Sequence, residues 1–227
     1  MTAPASPPVA LDAWIRQLLA TDGLAGMGHA QRADRDDLGL GWLYYALARV
    51  IKPARAVVIG SWRGFVPLVL GRALADDGEG RVVFVDPSLV DDFWQDPGRV
   101  REHFAALGVH NIDHFGMTTQ AFVQTEAYRS LGEVGLVFVD GYHSHEQARF
   151  DYDAFRERVP AHGVVLFHDS IRVRVSRIYG EALAYEHRVR DLMNELRREP
   201  GLQVTDLPFG EGVTLVRRAA DPEVLRA

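Results

Sequence analysis

Short, uninterrupted apolar runs recur along the chain. Ala56-Val57-Val58-Ile59, Val82-Val83-Phe84-Val85, Leu136-Val137-Phe138-Val139 and Val164-Val165-Leu166-Phe167 each close on a glycine or a polar residue, and Asn111 to Phe115 is a weaker run of the same kind. A run that does not alternate describes a strand buried on both faces. Between the runs the apolar spacing changes to i, i+3, i+4, which predicts helices at about 64–76, 98–107, 119–130 and 144–159. Pro67 falls in a first turn, where a missing N–H costs nothing, and Gly108 is a stop signal.

Upstream, Leu11, Trp14, Ile15, Leu18 and Leu19 predict an N-terminal helix. A second is expected over roughly 38–51, burying Leu43, Leu47, Val50 and Ile51. Residues 22–37 between them are glycine-rich and then charged, and read as a mobile loop. A long helix is expected near 178–198, burying Val189, Leu192, Met193 and Leu196.

The C-terminal end differs. Residues 203–207 and 213–216 alternate like strands and are joined only by Pro208-Phe209-Gly210-Glu211-Gly212, a loop that reaches only an antiparallel neighbour. The fold class is therefore α/β: a Rossmann-like doubly wound sheet, five or six strands parallel and one C-terminal strand reversed, with helices on both faces. The expected organisation is a flexible tail at 1–10, a helical cap or lid over 11–52, a cofactor-binding domain over 53–219 and a second tail at 220–227.

Composition narrows the chemistry. There is no cysteine, which excludes thiolate metal sites, cysteine nucleophiles and disulfides. Lys52 is the only lysine, which argues against an amine-based mechanism. The formal net charge of −6, with basic residues scattered among acids, argues against a nucleic-acid partner. The N-terminal decapeptide lacks the basic and apolar regions of a signal peptide, and no apolar stretch approaches the length of a membrane span. A cytoplasmic protein with a small-molecule substrate and no membrane partner is expected, and a homo-oligomer is compatible with this.

In an open α/β sheet the ligand site lies beyond the carboxyl ends of the strands, so the residues that close them are the candidates. Gly60-Ser61-Trp62-Arg63-Gly64 is G-x-x-x-G, short of the three-glycine dinucleotide fingerprint, and can also be a plain tight turn. Asp86 could accept both hydroxyls of a ribose or could simply order the turn before Pro87. Asp140, His168 and Asp169 could converge on a divalent cation, and His143 could act as a general base. The competing reading is structural: Ser144 caps a helix, Asp140 holds backbone amides and the histidines sit in turns.

Together VVIGSWRG (57–64), VVFVDPS (82–88), LVFVDGYHSHEQARFDYDAF (136–155) and GVVLFHDS (163–170) resemble class I S-adenosylmethionine-dependent methyltransferases, closest to small-molecule O-methyltransferases of the catechol, macrolide-sugar and cephalosporin-pathway type. The resemblance covers about 50 to 218 and implies the seven-stranded methyltransferase fold. It implies that Gly60 and Gly64 border the methionine part of S-adenosylmethionine, that Ser61 also belongs to the cofactor site, that Asp86 holds the ribose, and that Pro87 and Ser88 flank the adenine. Thr118 and Thr119 would lie near the adenine edge. Asp140 would border the cofactor and, with His168 and Asp169, match the cation positions of members that use Mg2+ or another divalent cation. His143 occupies the position of a basic lysine in catechol methyltransferases.

Two departures accompany the resemblance. The acid usual two residues before the first glycine is Val58 here, and the second cation position reads His168-Asp169 where a pair of carboxylates, or a carboxylate and an amide, is more usual. A hypothesised mechanism has Asp140 and Asp169 lining the acceptor site, with His143 assisting deprotonation of the acceptor. The loop around Met27, His29 and Arg32, with Trp42, Tyr44 and Tyr45, is a candidate lid. The rival readings are a nucleotide-binding module without catalysis and an NAD(P)-dependent oxidoreductase.

Overall fold

The computed structural model describes residues 9–26 and 28–219. Most of the expected N-terminal tail, Met27 of the candidate lid, and the tail at 220–227 lie outside the described residues.

The chain begins with α1 (Leu11–Ala20) and α2 (Gly41–Ile51), and then alternates. The order is β1 (Arg55–Ile59), α3 (Phe65–Asp77), β2 (Arg81–Val85), α4 (Pro97–Ala106) and β3 (Ile112–Phe115). Two helical turns follow, α5 (Thr119–Phe122) and α6 (Glu126–Arg129), then β4 (Leu136–Val139), α7 (His145–Phe155) and β5 (Val164–His168). A hairpin of β6 (Arg174–Ser176) and β7 (Tyr185–His187) precedes α8 (Val189–Leu196), β8 (Leu202–Leu207) and β9 (Val213–Arg218).

The main sheet has the strand order β3-β2-β1-β4-β5-β9-β8, and only β9 runs against its neighbours. This is the mostly parallel, doubly wound sheet with a reversed C-terminal strand that the apolar runs predict. Alternate residues on each strand serve opposite faces. Ala56 and Val58 pack with Trp14, Tyr44, Phe65 and Phe138 on the side of α1, α2 and α3. Val57 and Ile59 pack with Phe122, Phe155, Phe167 and Met193 on the other. Both faces of β1, β2, β4 and β5 are dry, so these strands read as continuous apolar runs.

Helix boundaries follow local chemistry. Pro67 lies in the first turn of α3, and Gly78 ends that helix in the left-handed conformation. Asp96 caps α4 by accepting hydrogen bonds from the Gly98 and Arg99 amides, with Pro97 at the first helical position.

Three expectations are corrected. The helix over 119–130 is two separate turns, because Thr118 and Thr125 each cap a new start. The second helix buries Gly41, Tyr44 and Ala48, while Leu43, Leu47 and Ile51 are only partly buried and Val50 is 80% exposed. The helix over 178–198 exists only as α8. Its N-terminal half is the turn and second strand of the β6–β7 hairpin, which Gly180 (φ 94°) helps turn, and only Val189, Leu192, Met193 and Leu196 keep helical spacing. Among the described residues, no helix is long and apolar enough to cross a membrane.

Register sets the site. Ile59 pairs with Val85 on one side and Val139 on the other, so Gly60, Asp86 and Asp140 come level at one rim of the sheet. Val139 pairs with Phe167, which brings His168 beside Asp140. The strand order reverses between β1 and β4, and the crevice opens there.

Candidate active site

A cleft of about 780 Å3 lies over these strand tips, lined by residues of the β1, β2 and β4 loops, the β5 end and the β6–β7 hairpin. Its volume is in the range of small-molecule sites. Gly60, Ser61, Asp86, Pro87, Ser88, Thr118, Thr119, Asp140, His143, His168 and Asp169 all line it; Gly64 does not. Gly64 instead adopts φ 85° at the start of α3, where a Cβ would press on Trp94 at 2.9 Å.

The Asp86 carboxylate is engaged at both oxygens. It accepts from the Ser61 amide at 3.1 Å and the Ser88 amide at 2.8 Å, tying the β1 and β2 loops together. Burial raises its pKa, and these two amides partly oppose the shift. The Ser88 hydroxyl donates to the Asp91 carbonyl and accepts from the Trp94 amide, while the Thr118 hydroxyl caps α5. Both hydroxyls therefore shape their own loops. Val58 is wholly buried among apolar neighbours, so its position sends no polar group into the cleft.

The second half of the cleft is a charged cluster. His168 Nδ1 lies 3.0 Å from Asp140 Oδ1 and 3.3 Å from Asp169 Oδ1. His143 Nε2 lies 3.6 Å from Asp140 Oδ1 and 3.8 Å from Asp169 Oδ2. The four residues singled out from the sequence thus meet. Asp169 reaches the cluster from a left-handed backbone (φ 51°), a conformation that Asp tolerates better than most residues. Its Oδ2 also accepts from Arg174 at 2.5 Å.

Two further members were not foreseen in this role. His29 was placed in a mobile lid, yet it is only 2% exposed, with Nε2 3.6 Å from Asp140 Oδ2 and Nδ1 3.2 Å from the Tyr44 hydroxyl. His187, from β7, has Nδ1 3.2 Å from Asp169 Oδ2. Neither lies near its partners in sequence, and no periodicity announces them. Of the other lid residues, Tyr44 is core, Tyr45 donates to Asp76, and Trp42 and Arg32 face Asp37 and Asp34 on the surface. Gly26 and Gly28 of the same loop do line the cleft.

Burial and charge set the protonation pattern. Burial pulls the His143 imidazole down to about 4 against the pull of Asp140 and Asp169, and pulls His29 down to about 3 with help from His168. Both rings are neutral near pH 7. Burial also works against a charged His168, but Asp140 and Asp169 overcome it and raise that ring to about 9. Burial would lift Asp140 and Asp169, yet His168 beside Asp140, and His187, His168 and Arg174 beside Asp169, hold both carboxylates below the usual range. The site pairs two carboxylates with one imidazolium and one guanidinium, and keeps neutral imidazoles beside them.

A family model described as a methyltransferase domain matches residues 57–170, which spans all four motifs. The chain belongs to the methyltransferase-domain family. The resemblance to class I S-adenosylmethionine-dependent methyltransferases is borne out at the level of family and fold. No curated protein sequence matches the chain significantly. Among solved structures, it is similar to an O-methyltransferase from Bacillus cereus in complex with S-adenosylhomocysteine (TM-score 0.66, 15% identity, 93% of each chain covered). It is also similar to a putative O-methyltransferase from Klebsiella pneumoniae (TM-score 0.65, 17% identity, covering 94% of this methyltransferase and 92% of that chain). A third is the O-methyltransferase TomG of tomaymycin synthesis from Streptomyces achromogenes, in complex with S-adenosylmethionine (TM-score 0.58, 18% identity, 94% and 92% covered).

Proposed function

We propose that this methyltransferase moves a methyl group from S-adenosylmethionine to a hydroxyl oxygen of a small organic molecule. The observation that carries the reading is the meeting of two half-sites in one cleft: the Gly60–Asp86 loops on one side, and His143 between two carboxylates on the other. Similarity to O-methyltransferases whose structures hold S-adenosylmethionine or its demethylated product supports the choice of cofactor and of oxygen.

When bound, S-adenosylmethionine supplies an electrophilic methyl on a positively charged sulfur. The cleft fits such a group: it is large enough, and Asp86, Asp140 and Asp169 give it acidic walls. Asp86 is the candidate for the ribose hydroxyls, Gly60 and Ser61 for the methionine end, and Pro87, Ser88, Thr118 and Thr119 for the surroundings of the adenine. His143, neutral near pH 7 and so carrying one unprotonated ring nitrogen, is the candidate to take the acceptor's proton. Asp140 and Asp169 then stabilise the imidazolium formed. Asp140, His168 and Asp169 also offer donors for a divalent cation, which would lower the hydroxyl's pKa. Tyr142 stacks on Tyr185 at 4.0 Å between ring centroids, with Tyr179 alongside, and this aromatic wall suits a planar or apolar acceptor.

Calorimetric titration tests the cofactor, with S-adenosylmethionine and S-adenosylhomocysteine expected to bind and NAD not. Release of S-adenosylhomocysteine across a panel of hydroxylated acceptors, with and without divalent cations, tests the reaction. NAD binding without S-adenosylmethionine binding would overturn the reading, and cofactor binding without turnover on any acceptor would favour a binding module. The loop bearing Gly26, Gly28 and His29 is the candidate lid, and limited proteolysis within 22–37 should slow when S-adenosylhomocysteine is bound.

A further inference from the structure

Exposed apolar side chains gather around one opening. Of the twelve large ones exposed among the described residues, six line the cleft: Trp62, Leu89, Val90, Tyr142, Val175 and Ile178. They come from four separate places, the β1, β2 and β4 loops and the β6–β7 hairpin, so no single amphipathic element explains the grouping. Apolar surface concentrated in this way marks a binding site. Leu89 and Val90 directly follow the residues assigned to the adenine and are left to the cofactor. The rest lie on the side of the acceptor: Tyr142 precedes His143 in the chain, and the hairpin brings His187 to within 4.3 Å of His143 between ring centroids. Trp62 holds a left-handed backbone (φ 40°), which a bulky residue rarely adopts, and the Trp94 indole donates to its carbonyl at 2.7 Å. Strain of this kind collects at ligand clamps.

The width of the group sets the size of what it holds. Tyr142, stacked on Tyr185, offers a face for one ring beside His143. Trp62 follows β1 and the hairpin follows β5, with β4 between them. Two strand spacings put these banks about 10 Å apart, wider than a single six-membered ring. Charge limits the chemistry further. Each arginine lining the cleft already faces a carboxylate: Arg63 meets Asp91 at 2.6 Å, Arg174 meets Asp169 at 2.5 Å and Arg177 meets Glu181 at 2.9 Å. Asp86, Asp91, Asp140, Asp169 and Glu211 outnumber these arginines in the lining. A carboxylate or a phosphate ester would enter an acidic cleft with no unpaired arginine to receive it.

We propose that the acceptor is a neutral molecule with an apolar body larger than one ring, its hydroxyl at His143 and its body spanning from Ile178 and Val175 across Tyr142 to Trp62. The placement of the hydroxyl rests on the methyl-transfer reading; the apolar, uncharged body does not.

The test measures binding to the full chain saturated with S-adenosylhomocysteine, where no transfer can occur. The probes are phenol, 4-octylphenol and 4-hydroxybenzoate, read by calorimetry. 4-Octylphenol should bind at least tenfold more tightly than phenol, and 4-hydroxybenzoate no more tightly than phenol. Ile178→Ser and Trp62→Gly, the second of which also relieves the left-handed backbone, should each remove at least threefold of the octyl gain while phenol binding holds. Val50→Ser, on the exposed side of α2 and outside the cleft, should leave the gain intact. Thermal melts check that the variants fold, and the wild-type series stands if they do not. No octyl gain, a gain that both folded variants keep, or tighter binding of the benzoate overturns the proposal. So does a dimer that Ile178→Ser dissociates, or adhesion to phosphatidylcholine vesicles lost in that variant, since either gives the surface to another occupant. Failure of S-adenosylhomocysteine to bind would count against the methyl-transfer reading instead, and the same series on the free chain would still decide this one.

Discussion

The backbone of Gly60 lies so close to Asp140 that a Cβ on the glycine would sit 2.4 Å from the Asp140 carbonyl oxygen, and 2.6 Å from the Gly141 Cα. Both obstacles are main chain, and Gly60 also holds φ 72°. The contact closes the tips of β1 and β4 at the switch point and so fixes the floor of the cleft. Gly60→Ala is expected to cost at least about 2 kcal/mol, since a left-handed alanine alone costs roughly 1–2 kcal/mol. Thermal unfolding should show a drop of about 5 °C or more, with weaker binding of S-adenosylhomocysteine. A variant that melts with the wild type would mean that the two tips are free to part.

Asp86 links the β1 and β2 loops and is the candidate ribose partner. Hydrogen bonds to a charged group contribute about 1.5–3 kcal/mol each, so Asp86→Ala should weaken S-adenosylmethionine binding roughly tenfold to a hundredfold. Asp86→Asn keeps the size and one acceptor oxygen, and should fall between the two. Calorimetry reads the effect directly, and an unchanged dissociation constant for both variants would remove Asp86 from the binding site.

How much of this was legible follows from the range over which each signal acts. Four of the parallel strands were visible because burial on both faces writes itself into consecutive residues, as in Leu136-Val137-Phe138-Val139, whereas β3, half-buried throughout, gave the weaker run. Asp140, His143, His168 and Asp169 could be named because they end neighbouring strands, and register alone brings such residues together. His29 could not. It meets Asp140 and His168 only because a loop without periodicity is threaded under Tyr44 and pinned by the Leu40 amide donating to the His29 carbonyl at 2.8 Å. His187 was hidden differently: the helical spacing of Val189 to Leu196 is real, and extending it backward absorbed a hairpin whose pairing partner, Arg174 to Ser176, carries no strong apolar run.

His143 separates catalysis from binding. It touches both carboxylates but lies outside the Gly60–Asp86 loops, so His143→Ala should lower kcat by about 10²–10⁴-fold, the usual worth of a general base. The dissociation constant of S-adenosylmethionine should stay within about threefold. Single-turnover methyl transfer on an acceptor found by screening checks both numbers. Full turnover by the variant would assign proton removal elsewhere.

Asp151, on α7, gives a prediction about stability and pH. It has no exposed surface, one oxygen accepts from Gln147 Nε2 at 2.8 Å, and the other has no hydrogen-bond partner among the described residues. Burial raises its carboxyl from 3.8 to about 6, with Thr119 and Gln147 opposing the shift. Between those two values the folded chain holds a proton that the unfolded chain has released, so this residue's contribution to stability falls as pH rises through the window. Above about pH 6 the full penalty of a buried, half-satisfied carboxylate applies. Asp151→Asn removes the charge and keeps the shape. The variant should be more stable than the wild type at pH 7.5, by about 1–3 kcal/mol, with the advantage shrinking to nothing near pH 4. Denaturant unfolding of both chains across that range isolates this residue from the histidine cluster, because the cluster is common to both. A difference that stays flat with pH would show that Asp151 is ionised in the fold at no cost.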